Sequence, residues 1–151
     1  MRYKSILLIL FSIFFSACSF IPSTSLKLKL EAAKQLNPDV TSQSLPVRIK
    51  IYQLKDATLF HEATFRNMWK SDLSSLGNTI LEKKVLTLNP GETKMLKIKR
   101  HPQAEYLAVM AIFRRHSQNQ WKSIQKLSSP LNDILKPIVI HVANNQVKIE
   151  S

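Results

Sequence analysis

Two stretches of the chain alternate apolar and polar residues with a period of two: Leu26-Lys27-Leu28-Lys29-Leu30-Glu31 and Val47-Arg48-Ile49-Lys50-Ile51-Tyr52. Successive side chains of a strand point to opposite faces, so each stretch has one face for a core and one for water, whereas a helix would scatter the same residues around its axis. A chain built on this pattern must bury its apolar faces between sheets. Later segments agree. Ile80, Val85 and Leu88 alternate loosely, and Thr93 to Lys99 sets Met95 opposite Leu96 and Ile98. Tyr106 to Phe113 is an unbroken apolar run whose length and branching suit a central strand covered on both faces. With Trp121 to Leu127, Pro137 to Val142 and Gln146 to Ile149, the pattern predicts about seven or eight strands.

Turn chemistry punctuates these strands. In Asn89-Pro90-Gly91-Glu92 the proline suits the second position of a turn and the glycine a positive φ at the third, so Thr93 to Lys99 is expected to return antiparallel. Asparagines in Ala143-Asn144-Asn145 can take the left-handed conformation of a tight hairpin, and Ser117 to Gln120 reads as a polar turn. Between the first two strands, Asn37 to Ser44 is a polar loop held open by proline and by side chains that bond their own backbone. The period of two breaks between Lys55 and Gly77. Asp56 suits an N-cap ahead of Ala57 to Glu62, and Phe65, Met68, Trp69 and Leu73 recur at three or four, which predicts a short helical insertion around 56–77. The fold class is therefore all-β, a sandwich with that insertion.

The front of the chain is different in kind. Arg2 and Lys4 precede Ile6 to Phe15, a run without charge that is shorter than the about 20 residues a membrane-spanning helix needs. With the small pair Ser16-Ala17 behind it, residues 1–17 have the three parts of an export signal and are set apart from the fold. Cys18 follows and is the only cysteine, which excludes an internal disulfide and any multi-cysteine metal site. Three uses stay open for it: a buried apolar side chain, an intermolecular disulfide, or lipidation. Phe15-Ser16-Ala17-Cys18 resembles the lipobox of bacterial lipoproteins, with phenylalanine where leucine is commoner. Diacylation there would hold the protein on a membrane, since each buried methylene contributes about 0.8 kcal/mol and two chains anchor stably. Ser19 is not the aspartate that resembles an inner-membrane retention signal, so the expected location is the periplasmic face of the outer membrane. Residues 18–25 read as the lipidated tether and 26–151 as the domain.

The chain carries a net charge of +12, lowered by two if Arg2 and Lys4 leave with the signal. In an exported protein such an excess points away from nucleic acid and toward a solvated surface, anionic headgroups or an acidic protein. Motifs for catalysis are absent. Gly77 and Gly91 are the only glycines, too few for a phosphate-cradling loop. His61, His101, His116 and His141 lack metal-ligand spacing, and no serine stands in a G-x-S-x-G context. Acids such as Glu82, Glu92 and Asp133 lie close to lysines, as surface charge balance places them. Neither a cofactor nor a metal is expected. Trp69 and Trp121 suit a core or an edge better than a ligand platform.

Four stretches in order carry a family resemblance. "LNPDVTSQSLPVRIKIYQLKDATLFHEATF" (Leu36 to Phe65), "LNPGETKMLKI" (Leu88 to Ile98), "YLAVMAIFRR" (Tyr106 to Arg115) and Trp121 beyond, behind a lipobox, resemble the TssJ lipoproteins of the bacterial type VI secretion system. Thr41-Ser42 replaces the glycine-containing turn usual in that loop. The resemblance implies a transthyretin-like β-sandwich with an extra helical insertion and a non-enzymatic role. Anchored in the outer membrane, the domain would bind the periplasmic part of TssM, and through it TssL, using Asn37, Pro38, Asp39, Val40, Thr41, Ser42 and Gln43. The alternative is a sandwich that carries a small apolar ligand in its interior, beside Trp69 or Trp121.

Overall fold

A computed structural model describes residues 24–116, 120–128 and 136–150. The expected signal 1–17, Cys18 and the tether up to residue 23 lie outside the described residues, as does the expected turn 117–120 apart from Gln120. Eight strands form two sheets: β1 (Ser25–Leu36), β2 (Val47–Leu54), β3 (Ile80–Leu88), β4 (Thr93–Lys99), β5 (Tyr106–Ile112), β6 (Lys122–Lys126), β7 (Ile138–Asn144) and β8 (Gln146–Glu150). One sheet has the order β4-β1-β7-β8 and the other β3-β2-β5-β6. Among the described residues only β1 and β7 run parallel; the remaining pairs are antiparallel. The all-β sandwich expected from the alternation is the observed fold.

The alternation places the core. Leu26, Leu28 and Leu30 of β1 are fully buried, facing Val47, Ile49 and Ile51 of β2, with Ile140 and Val142 of β7 beside them. β5 is buried on both faces from Leu107 to Ala111, as its unbroken apolar run predicts. One long side of the sandwich is closed, because Ile149 N donates to Ser123 Oγ at 3.1 Å and Val147 N to the Gln120 carbonyl at 2.9 Å. The opposite side, between the edge strands β3 and β4, holds a cleft of about 410 Å³.

The turn at Asn89 forms as expected, with Gly91 at φ +74° and Glu92 N donating to the Asn89 carbonyl at 3.1 Å. It does not make a hairpin. β4 pairs with β1 in the other sheet, while β3 pairs with β2. Turns of this hand splay the flanking strands instead of matching their twist, and the turn is held against β1 by Gly91 N on the Ala33 carbonyl at 3.1 Å and Ala32 N on the Glu92 carbonyl at 2.9 Å. Crossing over sets Leu86 and Leu88 of one sheet toward Leu96 and Ile98 of the other, which a hairpin within one sheet could not do. The hairpin between β7 and β8 is as expected, with Asn144 at φ +50° and Ala143 paired with Gln146.

The insertion contains α1 (Thr58–Glu62), α2 (Phe65–Leu76) and a 3-10 turn at Gly77–Thr79, and it covers the outer face of β2 and β5. Asp56 is not the N-cap residue of α1; Ala57 is, and Asp56 Oδ1 accepts from Thr58 N at 2.8 Å from one position upstream. Thr64 caps α2 by accepting from Asn67 N at 3.3 Å. Met68, Asp72 and Leu76 face the sheet, and Phe65 packs edge-on to the buried Trp121 with ring centroids 5.4 Å apart. Trp69 and Leu73, expected with the apolar face, are instead 54% and 58% exposed, one position round from the buried stripe.

A polar cluster docks the insertion. Asp72 Oδ2 accepts from Lys83 Nζ at 2.6 Å, Tyr52 OH at 2.7 Å and Lys50 Nζ at 3.0 Å, and Lys50 Nζ also reaches the Met68 carbonyl at 3.1 Å. Burial raises the Asp72 pKa, but the bonds from Lys83, Tyr52 and Lys50 outweigh it and bring the carboxyl down to about 2. Burial, reinforced by that carboxylate, pushes the Tyr52 hydroxyl up, so it remains a donor. At the far end of the insertion, Lys122 Nζ donates to the carbonyls of Phe60, His61 and Ala63 at 2.9, 2.7 and 2.9 Å, taking the orphan acceptors that a helix end leaves open. Its desolvation lowers the Lys122 pKa.

Candidate partner-binding loop

β1 ends in a residue built for a corner. Asn37 takes φ +45°, which asparagine tolerates better than most side chains. Its own amide donates to the Asn144 carbonyl at 2.6 Å, its Nδ2 to the Pro46 carbonyl at 2.9 Å, and its Oδ1 accepts from Arg114 N at 2.8 Å. Asn37 thus ties the base of the loop through its buried side chain to the residues flanking β2 and β5, and through its backbone amide to the end of β7. Leu45 N donates to the Leu36 carbonyl at 2.9 Å and Leu36 N to Ser44 Oγ at 3.3 Å, which closes the base.

Asp39 shapes the tip. Its Oδ1 accepts from Thr41 N at 2.8 Å, Thr41 Oγ1 at 2.7 Å and Gln43 N at 2.9 Å, while its backbone amide donates to the Gln43 carbonyl at 3.0 Å. The Thr41 hydroxyl and then the Gln43 amide hold the Asp39 carboxyl below the usual carboxylate range. Ser42 stands at φ +65°, the backbone conformation that a glycine in this turn would take without strain. The tip is therefore ordered by its own bonds, with the ordering cost of binding largely met before a partner arrives. Val40 is held out at its crest, 78% exposed.

The seven residues picked from the sequence divide into two groups. Thr41, Ser42 and Gln43 are exposed with Val40, and Pro38 and Asp39 are half-buried beside them. Asn37 is 4% exposed with its amide, Nδ2 and Oδ1 all used within the chain, so it supports the surface without being part of it. The roles of Arg114 and Asn144 as anchors of the loop were not read from the sequence. Only the left-handed asparagine at the β7–β8 hairpin hinted at the second. Among the described residues no group of three or more His, Cys, Asp or Glu side chains could hold a metal ion.

The family of type VI secretion lipoproteins, described as VasD, EvfM and TssJ, matches the chain over residues 24–146. The chain belongs to this family. No curated protein matches it. Three solved structures show how TssJ-like folds compare with it. The T6SS lipoprotein TssJ1 from Pseudomonas aeruginosa is 24% identical with a TM-score of 0.75, over 85% of this chain and 96% of that one. A chain of the structure described as a type VI membrane complex is 25% identical with a TM-score of 0.76, over 85% and 99%. A chain of the structure described as the T6SS protein TssM C-terminal domain (869-1107) from EAEC is 23% identical with a TM-score of 0.73, over 85% and 98%. Each likeness thus covers nearly all of the relative's chain and most of this one.

Proposed function

We propose that this TssJ-family lipoprotein is a non-catalytic anchor: held by acyl chains on Cys18 at the periplasmic face of the outer membrane, it binds the periplasmic domain of TssM, and through it TssL, with the loop from Pro38 to Gln43. The observation that carries this reading is the loop itself, braced from below by Asn37 and from within by Asp39 so that Val40 projects. An exposed valine on a rigid crest is a small apolar anchor of the kind that fills a partner's pocket, and the surrounding hydroxyls and amides can supply a polar rim. Similarity to chains in structures described as a type VI membrane complex and as the TssM C-terminal domain supports the choice of partner. The alternative, an apolar ligand beside a tryptophan, has less support. Trp121 is packed in the core at 2% exposure, and Trp69 stands on the surface.

Isothermal titration of the TssM periplasmic domain with the native protein and with Val40→Asp tests the reading. Losing a buried valine and introducing a charge should weaken binding by about tenfold or more, while the thermal midpoint stays unchanged. Equal affinities would remove the loop crest from the interface.

A further inference from the structure

The sandwich has two poles. β1 runs from Ser25, beside the tether, to Leu36 at the base of the binding loop, a span of roughly 40 Å for its 12 residues. β2 ends, β3 begins and β4 ends at the tether pole, because Leu54 pairs with Ile80 and Lys99 with Ser25. On the β1–β4 face the charges are distributed unevenly along this axis. Toward the loop, acids on the β1–β4 face are neutralised: Glu31 by Lys29 at 2.5 Å and Glu92 by Lys94 at 2.9 Å. Toward the tether, Lys27, Lys97 and Lys99, with Lys84 midway along β3, are exposed, and among the described residues none has an ion pair. Lys34, Arg48, Arg114 and Arg115 at the loop pole are likewise exposed, but of these only Lys34 belongs to the β1–β4 sheet.

Lys27 and Lys97 are direct cross-strand partners, an arrangement in which like charges repel. Lysines on edge strands commonly guard against aggregation, and that explanation covers Lys84 and Lys97. It does not cover Lys27, which lies on the interior strand β1 between β4 and β7. The cleft between β3 and β4 opens on the same side, lined by Lys84, Lys97 and Lys99 with the acid Glu82, and by Lys83, which is already paired with Asp72. Such a cluster attracts anionic groups to this side of the molecule.

We infer that the tether half of the β3–β4 side is a membrane-docking surface that lies on anionic phospholipid headgroups and points the binding loop away from the bilayer. The inference rests on the lipid anchor proposed above. Cys18 precedes Ser25 by seven positions, so the bilayer would lie within about 25 Å of the first strand, and basic residues next to a membrane are drawn to its surface potential. The acyl chains would fix the distance and the lysines the orientation, at the pole opposite the loop.

Amine acetylation, read residue by residue by mass spectrometry, tests this on the protein isolated from the membranes of expressing cells. It is reconstituted into phosphatidylcholine vesicles and into vesicles that also contain phosphatidylglycerol. Acetylation of Lys27, Lys97 and Lys99 should slow about threefold or more in the anionic vesicles and recover at about 0.5 M salt, with Lys34, near the loop pole, unaffected. Equal rates in the two vesicles overturn the proposal. Protection that arises only on adding the partner's periplasmic domain assigns the surface to an acidic protein and overturns it too. The same spectra report the mass at Cys18. An unmodified cysteine sinks the anchor separately, and docking then stands only if the chain floats with anionic and not with neutral vesicles.

Discussion

Tyr52 on β2 and Asp72 on α2 meet through a 2.7 Å bond from the phenol to the carboxylate, and this contact joins the helical insertion to the sheet beneath it. Asp72 Oδ2 also receives Lys50 and Lys83, so one acid compensates two cations. Replacing Asp72 with alanine leaves the amine of Lys50 buried without its counter-charge, and breaking a buried pair from one side costs about 3–5 kcal/mol. D72A should lose that much in urea unfolding, with Lys50→Met in the same chain restoring part of it.

The same carboxylate sets an acid limit. The Asp72 pKa is depressed from 3.8 to about 2 in the folded protein, so the unfolded chain binds its proton first. Its contribution is full above the unfolded value and is lost as pH falls from about 4 to about 2, amounting to about 2 kcal/mol. The Asp39 carboxyl is depressed in the same direction by its bonds from Thr41 and Gln43, so its contribution too is lost on the acid side. Unfolding midpoints measured across this interval should fall with pH in the native protein and fall less in Asp72→Asn.

Lys122 closes the end of the insertion on three carbonyls. Lys122→Met keeps most of the aliphatic stem while removing the donor, and stranding part-buried acceptors costs about 1–3 kcal/mol. Amide exchange should accelerate in α1 more than in β5, because the change frees one end of the insertion and leaves the sheet intact.

Asp39→Ala separates the shape of the loop from the stability of the fold. Three bonds at the tip are lost, while the base, held by Asn37, is untouched. The expected result is an unchanged thermal midpoint with partner affinity reduced about tenfold, the cost of ordering the loop having moved to the binding step. Asn37→Ala should behave in the opposite way, lowering the midpoint because Arg114 N and the Pro46 carbonyl lose their partners.

At Ser42 the prediction concerns backbone alone. Its φ of +65° disfavours any branched side chain, so Ser42→Val should destabilise by about 1–2 kcal/mol, and Ser42→Gly should be tolerated. Paired thermal melts of the two variants check this.

Period-two alternation sufficed to define the strands, because burying one face of a pleated segment requires nothing beyond its own residues. Leu26, Leu28, Leu30, Ile49 and Ile51 are buried as that pattern demands. Local turn chemistry was legible for the same reason: Gly91 and Asn144 take positive φ where the sequence predicts it. Strand partners were not legible, since the choice of β1 over β3 by β4 depends on residues more than sixty positions away. Lys50 shows the same limit. Alternation sets it on a polar face with Arg48, yet the insertion covers that position and leaves Lys50 only 8% exposed, stabilised by an aspartate 22 residues on.

The candidate loop divides along the same line. Its place between two strands, its turn-forming composition and its family resemblance were all present in the chain from Leu36 to Phe65. Only the tertiary structure decided which of its residues face outward, because Asn37 turns inward to meet Arg114, 77 residues away. The sequence by itself determined the strands, the corners and the family. The folded chain decided the sheet partners, the buried charge cluster and the grouping of Lys27, Lys97 and Lys99 at one end of the β1–β4 face, since each depends on contacts that exist only once distant segments are brought together.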